Sequence, residues 1–294
     1  MEKLKYAVTG ASGQLGRLVL NILSEKVDPG SIVALARDPA KLSELSGRGI
    51  AVRRFDYDVP ETLKLALDGV TRLLLISSSE HGPSRVAQHR AIIDSAKRAG
   101  VGFVAYTSIL HADTSPIGLA VDHRATEAAL KASGLAHALL RNGWYTENYI
   151  VQAQGAIANG VLLGSTGDGR ISTASRLDYA LAAATVLADA SLGNRVYELA
   201  GDEAFTLSGF AAALASASGR PVVYRDLPEA EYANALEGIG FPPHVAHLIA
   251  DNSAKAANGT LFDDGRALSK LIGRATTPMR ESLRSALRHL AEAK

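Results

Sequence analysis

Gly10, Gly13 and Gly16 of "TGASGQLG" are spaced G-x-x-G-x-x-G. They stand where the apolar run Tyr6–Thr9 gives way to helical spacing at Leu15, Leu18, Val19, Ile22 and Leu23. Such a junction is built for phosphate. The first glycine permits a sharp turn off a strand, the second lets backbone approach a pyrophosphate, and the third packs the helix tightly on the sheet. The helix start adds unpaired amides and a partial positive charge. Thr9, Gly10, Ser12, Gly13, Gln14 and Leu15 are the expected phosphate-side residues. A second apolar run, "SIVALARDP", delivers Arg37. Its guanidinium can pair with the 2′-phosphate of NADP and stack on adenine. Asp38 either takes the ribose hydroxyls of NAD or caps the helix that starts at Pro39. NADPH is the expected cofactor, with NADH as the alternative.

Ligands of open α/β sheets lie beyond the C-terminal strand ends. That places Asp56 ("FDYD"), Ser77, Ser78, Thr107 and Ser108 as pocket candidates. Asp56 reaches adenine in one reading and closes a turn in the other; the serines and Thr107 are pocket groups or ordinary loop residues. The stretch "LLRNGWYTENY" (139–149) adds Asn142, suited to a carboxamide or an acceptor oxygen. Trp144, Tyr145 and Tyr149 offer flat faces for an aromatic substrate, the other reading being packing between lobes.

Short-chain dehydrogenase/reductases of this architecture protonate their products with a Tyr-x-x-x-Lys pair. None of the nine tyrosines has lysine four residues later. The corresponding helix, "GLAVDHRATEAAL", offers His123 instead, as a ribose or proton-donor residue or as a plain polar residue near a helix start. Reducing a ketone makes a basic alkoxide, for which a positioned acid matters. Hydride addition to a quinone gives a delocalised anion that needs positioning more than acid catalysis. Asn142, Tyr145 and His123 are the expected catalytic residues. The rival is a protein that reads the cofactor without turnover. His244 and His247 share a helix face, but no carboxylate completes a zinc motif, so no metal is expected.

The elements that must position these groups alternate in type. Strands are expected at Tyr6–Thr9, Ile32–Ala36, Ala51–Phe55, Arg72–Ile76, Phe103–Thr107 and His137–Arg141. Helices are expected at Gly13–Ser24, Pro39–Ser46, Pro60–Leu67, Ala87–Ala99 and His123–Ser133. This order predicts a doubly wound, Rossmann-type α/β fold with a parallel sheet in residues 1–142, rejoined by elements around 176–200. Residues 143–294 read as a smaller, mainly helical substrate lobe. Its expected strands are 195–201 and 222–227, and its helices are Arg176–Ala190, Leu207–Ser218, Glu229–Glu237, His244–Asn258 and Met279–Ala293.

Bulk properties narrow the partners. With 31 basic against 30 acidic residues, no concentrated positive face for nucleic acid is expected. No apolar run approaches the roughly 18–20 residues of a membrane span. The absence of cysteine excludes disulfides and thiolate chemistry. A cytoplasmic protein is expected, and a homodimer is compatible with the sequence.

"TGASGQLG", "LLLISSSE", "FVAYTSILHADTSPIGLA", "LLRNGWYTENY", "YELAG" and "LFDDGRALSKLIG" together resemble the NmrA-like, atypical branch of the short-chain dehydrogenase/reductases, and within it the bacterial type 2 NAD(P)H:quinone oxidoreductases. The resemblance covers nearly the whole chain. It implies flavin-free quinone reduction by NADPH in a cleft between a Rossmann domain and a small C-terminal lobe. It maps cofactor contacts onto the Gly10–Gly16 loop, Arg37, the Ser77–Ser79 strand end and the 142–145 turn. Family members also lack the Tyr-x-x-x-Lys pair. The stretch "EHGPSRVAQH" (80–89), expected as a loop near the pocket mouth, departs locally, which bears on substrate preference. A relative reduces triphenylmethane dyes, and the NmrA regulator binds dinucleotide without turnover.

Overall fold

Runs such as "RLLL" and "FVAYTSI" become central strands because helices cover both of their faces. The computed structural model describes residues 4–292 apart from 190 and 192. Its strands are β1 (Tyr6–Val8), β2 (Ile32–Ala36), β3 (Ala51–Arg54), β4 (Arg72–Leu75), β5 (Phe103–Ile109), β6 (Ala136–Asn142), β7 (Val161–Gly164), β8 (Arg195–Leu199) and β9 (Val223–Asp226). Its helices are α1 (Gln14–Lys26), α2 (Ser43–Ser46), α3 (Pro60–Ala66), α4 (Gly82–Arg98), α5 (Gly118–Ser133), α6 (Thr146–Ile150), α7 (Ala153–Asn159), α8 (Arg176–Ala188), α9 (Leu207–Ser218), α10 (Glu229–Gly238), α11 (Pro243–Ala256), α12 (Ala267–Ile272) and α13 (Met279–Glu292). They form two compact units. One comprises the residues up to Asp113, Leu119–Asn142 and Arg176–Leu199; the other comprises Thr114–Gly118, Gly143–Ser175 and the residues from Ala200 onward.

The first unit is a seven-stranded parallel sheet of order β3-β2-β1-β4-β5-β6-β8, the doubly wound fold expected. Alternate residues build its two faces. Ala7, Val33, Leu35, Leu73, Leu75, Val104, Tyr106 and Leu139 pack with Leu63, Ile92, Ile93, Ala96 and Leu130 from α3, α4 and α5. Truncating one such leucine to alanine costs about 2–5 kcal/mol. On the opposite face lie α1 and α8, packed on each other. The buried Ala180, Ala182, Ala183 and Ala184 let α8 approach closely. Strand order reverses between β1 and β4, which opens a crevice at their C-terminal ends.

In the second unit β7 and β9 pair in parallel, with α9 packed on both. Tyr149, Phe205 and Phe210 form an aromatic cluster there. Helices α10 and α11 bury Tyr232, Leu236, Ala246 and Ala250 against each other.

Three differences from the sequence expectation have physical causes. Helix α4 starts at Gly82, not Ala87, because Pro83 suits a first helical turn. Helix α5 likewise starts at Gly118, a full turn before His123. Strand β7 was not expected: it is four residues long, and its partner β9 lies some sixty residues later. The expected helix ends at Ala190 and Ala293 lie outside the described residues.

Candidate dinucleotide site

Between the C-terminal ends of β1, β2 and β4 lies a cavity of about 320 Å³, lined among others by Gly10, Ser12, Gly13, Arg37, Asp38, Lys41, Tyr57 and Ser77–Ser79. Its floor is the glycine loop. Gly10 has φ +58°, a left-handed backbone that glycine adopts without strain. The Gly10 carbonyl then accepts from Gly13 N–H at 2.9 Å. A Cβ on Gly16 would lie 2.3 Å from that carbonyl oxygen and 2.9 Å from Ala11 Cα. Gly16 therefore packs α1 on its own entry turn, where packing on the sheet was expected.

The start of α1 is bare: Gly13 supplies no side-chain cap, and the first turn holds no acidic residue. The amides of Gln14 and Leu15 are thus among the donors a helix start leaves without intrahelical partners. Such an end holds an anion. At the end of β2, Arg37 is exposed on the cavity wall. Asp38 accepts from Ala40 N–H at 3.1 Å and caps the turn Pro39–Leu42. That turn presents Lys41, a second cation that the sequence reading did not single out. Arg17 holds it in place by donating to the Lys41 carbonyl at 2.6 Å, to Glu44 at 2.5 Å and to the Ser12 carbonyl at 3.2 Å.

Asp56 does not line the cavity. Its carboxylate accepts from Asp58 N–H at 3.3 Å, and its backbone is tied to Thr62. It takes the turn role, while Tyr57 and Asp58 line the wall. Asp58 in turn accepts from Gln88 Nε2 at 3.1 Å. Buried Gln88 Oε1 and Ser78 Oγ meet no partner. Ser77 and Ser78 line the cavity, but Thr9 and Thr107 stand behind it. Thr9 Oγ1 accepts from Ile76 N–H at 2.9 Å, and Thr107 Oγ1 accepts from Ser77 N–H at 2.9 Å. These hydroxyls hold the loop from behind and are not part of the cavity lining, where direct contact with a ligand was expected.

Further along the sheet edge, Asn142 ends β6 opposite Ile109. Its carbonyl accepts from Leu110 N–H at 2.9 Å, while its buried Oδ1 meets no donor. Beside it in the chain, buried Arg141 makes a bidentate pair with Glu127 at 3.0 and 2.8 Å and reaches Glu198 at 2.7 Å. Ser108 Oγ donates to Glu127 at 2.6 Å. Hydrogen bonds to Glu127 first, and to Glu198, hold the Arg141 guanidinium charged well above its ordinary range.

His123 is not placed as an acid. It is 4% exposed, and its Nδ1 lies 2.7 Å from the Tyr106 hydroxyl. Burial first, then the charge of Arg85, push it down to about 3. The ring is therefore neutral near pH 7, which corrects its expected role as a proton donor. In the second unit, Tyr145 precedes α6 and bridges to Ala174. Trp144 is half-buried, and Tyr149 belongs to the aromatic cluster. Among the described residues no group of three His, Cys, Asp or Glu side chains could hold a metal ion. No described helix is long and apolar enough to cross a membrane.

Tested against a dinucleotide, the cleft offers a glycine loop that Cβ atoms would obstruct, an uncapped helix start, two cations and orphaned polar atoms. These residues fit. The sequence profile described as NAD(P)H-binding matches residues 10–190. The chain belongs to that NAD(P)H-binding family. It is 52% identical to quinone oxidoreductase 2 of Escherichia coli (strain K12) over 94% of its own length and 96% of that protein's. The crystal structure of the E. coli NADPH-dependent quinone oxidoreductase QOR2 complexed with NADPH matches with a TM-score of 0.93 at 51% identity, covering 97% of this chain and 99% of that one. Triphenylmethane reductase of Citrobacter sp., complexed with NADP(H), matches with a TM-score of 0.92 at 35% identity, covering 96% and 100%. The resemblance drawn from the sequence motifs is borne out.

Proposed function

We propose that this protein is an NADPH-dependent, flavin-free quinone reductase. The observation that carries the reading is the pair of cations on the β2 side of the cleft. Arg37 and Lys41 both line it; the neighbouring Asp38 lines it too, with one carboxylate oxygen engaged by Ala40 N–H in its own helix cap. This is the charge pattern a 2′-phosphate needs and a bare ribose does not. Kinship with an enzyme described as an NADPH-dependent quinone oxidoreductase supports the same cofactor and substrate class.

In this reading the Gly10–Gly16 loop and the amides of Gln14 and Leu15 hold the pyrophosphate, and Ser77–Ser79 close over it. Bound NADPH supplies a hydride to the quinone. Asn142 Oδ1, an acceptor with no donor, is matched to the amide hydrogens of a carboxamide. An unpaired buried acceptor costs about 1–3 kcal/mol until such a donor arrives. Arg141 and Glu127 anchor the strand that carries Asn142. The reduced quinone anion is delocalised and takes its proton from water, so neutral His123 and the missing Tyr-x-x-x-Lys pair do not impede the reaction. Tyr145 offers a flat face for an aromatic acceptor, and triphenylmethane dyes are a second acceptor class by kinship.

Steady-state oxidation of NADPH and of NADH by the purified protein against a simple benzoquinone tests this, with the uncatalysed rate subtracted. Turnover proportional to enzyme and faster with NADPH is expected. Tight NADPH binding without turnover on quinones or dyes would make the protein a cofactor sensor.

A further inference from the structure

The loop after β4 has no regular structure, yet three successive amides at its start are each bound by a side chain from a different element. Ile76 N–H donates to Thr9 Oγ1 and Ser77 N–H to Thr107 Oγ1, both at 2.9 Å; Ser78 N–H donates to His89 Nε2 at 3.0 Å. Thr9 follows β1, Thr107 lies in β5 and His89 lies on α4. The strands flanking β4 and the helix that follows it therefore clamp one short segment.

The third contact fixes the state of the imidazole. Accepting from Ser78 requires a bare Nε2, so Nδ1 carries the hydrogen and donates to Thr126 Oγ1 at 2.9 Å. Thr126 passes the polarity on to the Asp122 carbonyl at 2.9 Å. His89 is 0% exposed and meets the Tyr106 ring edge-on at a centroid distance of 5.5 Å. Burial first, and the charge of Arg85 second, push His89 down to about 3, so the acceptor lone pair persists across physiological pH. The group presented by this clamp is Ser78, which lines the cleft with a buried Oγ that meets no partner. A buried hydroxyl without a protein partner calls for a ligand, a water or an ion to complete it, and the cleft beside Ser78 can admit one.

We infer that His89 is a positioning residue for the dinucleotide: by holding the Ser78 amide it sets the Ser78 hydroxyl as a hydrogen-bonding group for the sugar-phosphate part of the cofactor. The inference rests on reading the cleft as the NADPH site. It assigns His89 no contact with the cofactor and no proton transfer.

The test is a double-mutant cycle read by NADPH binding, with the reduced nicotinamide's own fluorescence as the signal, so it does not depend on turnover. His89→Leu removes the acceptor. His89→Asn keeps an amide too short for Ser78, and His89→Gln carries one at the reach of Nε2. The Leu and Asn variants are expected to raise the NADPH Kd about tenfold, equivalent to about 1.4 kcal/mol, and Gln to return it to within about threefold. Ser78→Ala is expected to weaken binding by a similar factor, and its combination with His89→Asn to weaken it no further. NADH and NADPH should lose alike, since the 2′-phosphate is not involved, while kcat at saturating NADPH changes less than about threefold. If the Leu variant fails to fold, the Asn–Gln pair decides. Wild-type affinity in a folded Asn variant, equal losses in Asn and Gln, or additive losses with Ser78→Ala would overturn the assignment. Absence of quinone turnover with these binding effects intact would count only against the proposed reaction. Absence of NADPH binding by the wild-type protein would remove the reading of the cleft and this inference with it.

Discussion

Two polar regions of the same unit obey opposite rules. Around Arg141 the polar groups are paired: Glu127, Glu198 and Asp113 hold the guanidinium, and Ser108 donates to Glu127. In the cleft between β1 and β4 the buried Ser78 Oγ and Gln88 Oε1 meet no partner, while an uncapped helix start and the exposed Arg37 and Lys41 stand open to a ligand. Burying an unmatched polar group costs free energy, so evenly satisfied groups build the frame and unsatisfied ones mark where a ligand completes the structure. The two regions should therefore fail differently. Damage to the first should cost stability, and damage to the second should cost affinity.

The largest expected effect breaks the frame. Glu127→Ala leaves Arg141 buried with its bidentate partner gone and should lower unfolding free energy by about 3–5 kcal/mol, measured by urea denaturation. NADPH affinity of the folded fraction should change less than about threefold. Near-wild-type stability with lost affinity would invert the comparison. Next is Gly16→Ala, whose Cβ would meet the backbone of Gly10 and Ala11. It should raise the NADPH Kd about 100-fold or more, equivalent to about 2.7 kcal/mol, as read by fluorescence titration.

Arg37→Ala should weaken NADPH about 10- to 100-fold, the scale of one charge-assisted phosphate contact of about 1.5–3 kcal/mol. Lys41→Ala should do less. Neither should alter NADH affinity beyond about twofold, and equal losses for both dinucleotides would remove the 2′-phosphate assignment. A further effect, on stability, is graded with pH. His89 and His123 stay neutral in the fold down to about pH 3, whereas in the unfolded chain they take up protons from about pH 6.5. Between those values the unfolded state binds more protons, so stability rises with pH and is lost as pH falls through the window. The slope approaches about 1.4 kcal/mol per pH unit for each histidine. Urea unfolding at pH 7, 6 and 5 should show it, and His123→Phe should flatten it.

What the sequence revealed and what it concealed divide by distance along the chain. The glycine loop and Arg37 are local patterns whose spacing carries their meaning, and the alternating strands and helices are likewise local. Thr9 and Thr107 were recognisable as strand-end hydroxyls, but their targets are Ile76 and Ser77, 67 and 30 residues away. His123 read as polar at a helix start; it lies buried against Tyr106, and that burial first, then the charge of Arg85, keeps it neutral. In "FDYD" the choice between Asp56 and Asp58 turned on which way one turn faced, and the Asp56 backbone is held by Thr62 on the next helix. Lys41 was within reach of sequence reasoning, as a second cation four residues beyond Arg37 on a turn that Asp38 caps.

One experiment meets the central claim most directly: a single turnover of flavin-free protein carrying bound NADPH, mixed with a simple benzoquinone. The account predicts that one equivalent of bound cofactor is consumed per quinone far faster than in free solution, and more slowly when C4 of the nicotinamide carries deuterium. Bound NADPH that disappears only at the uncatalysed rate would contradict it.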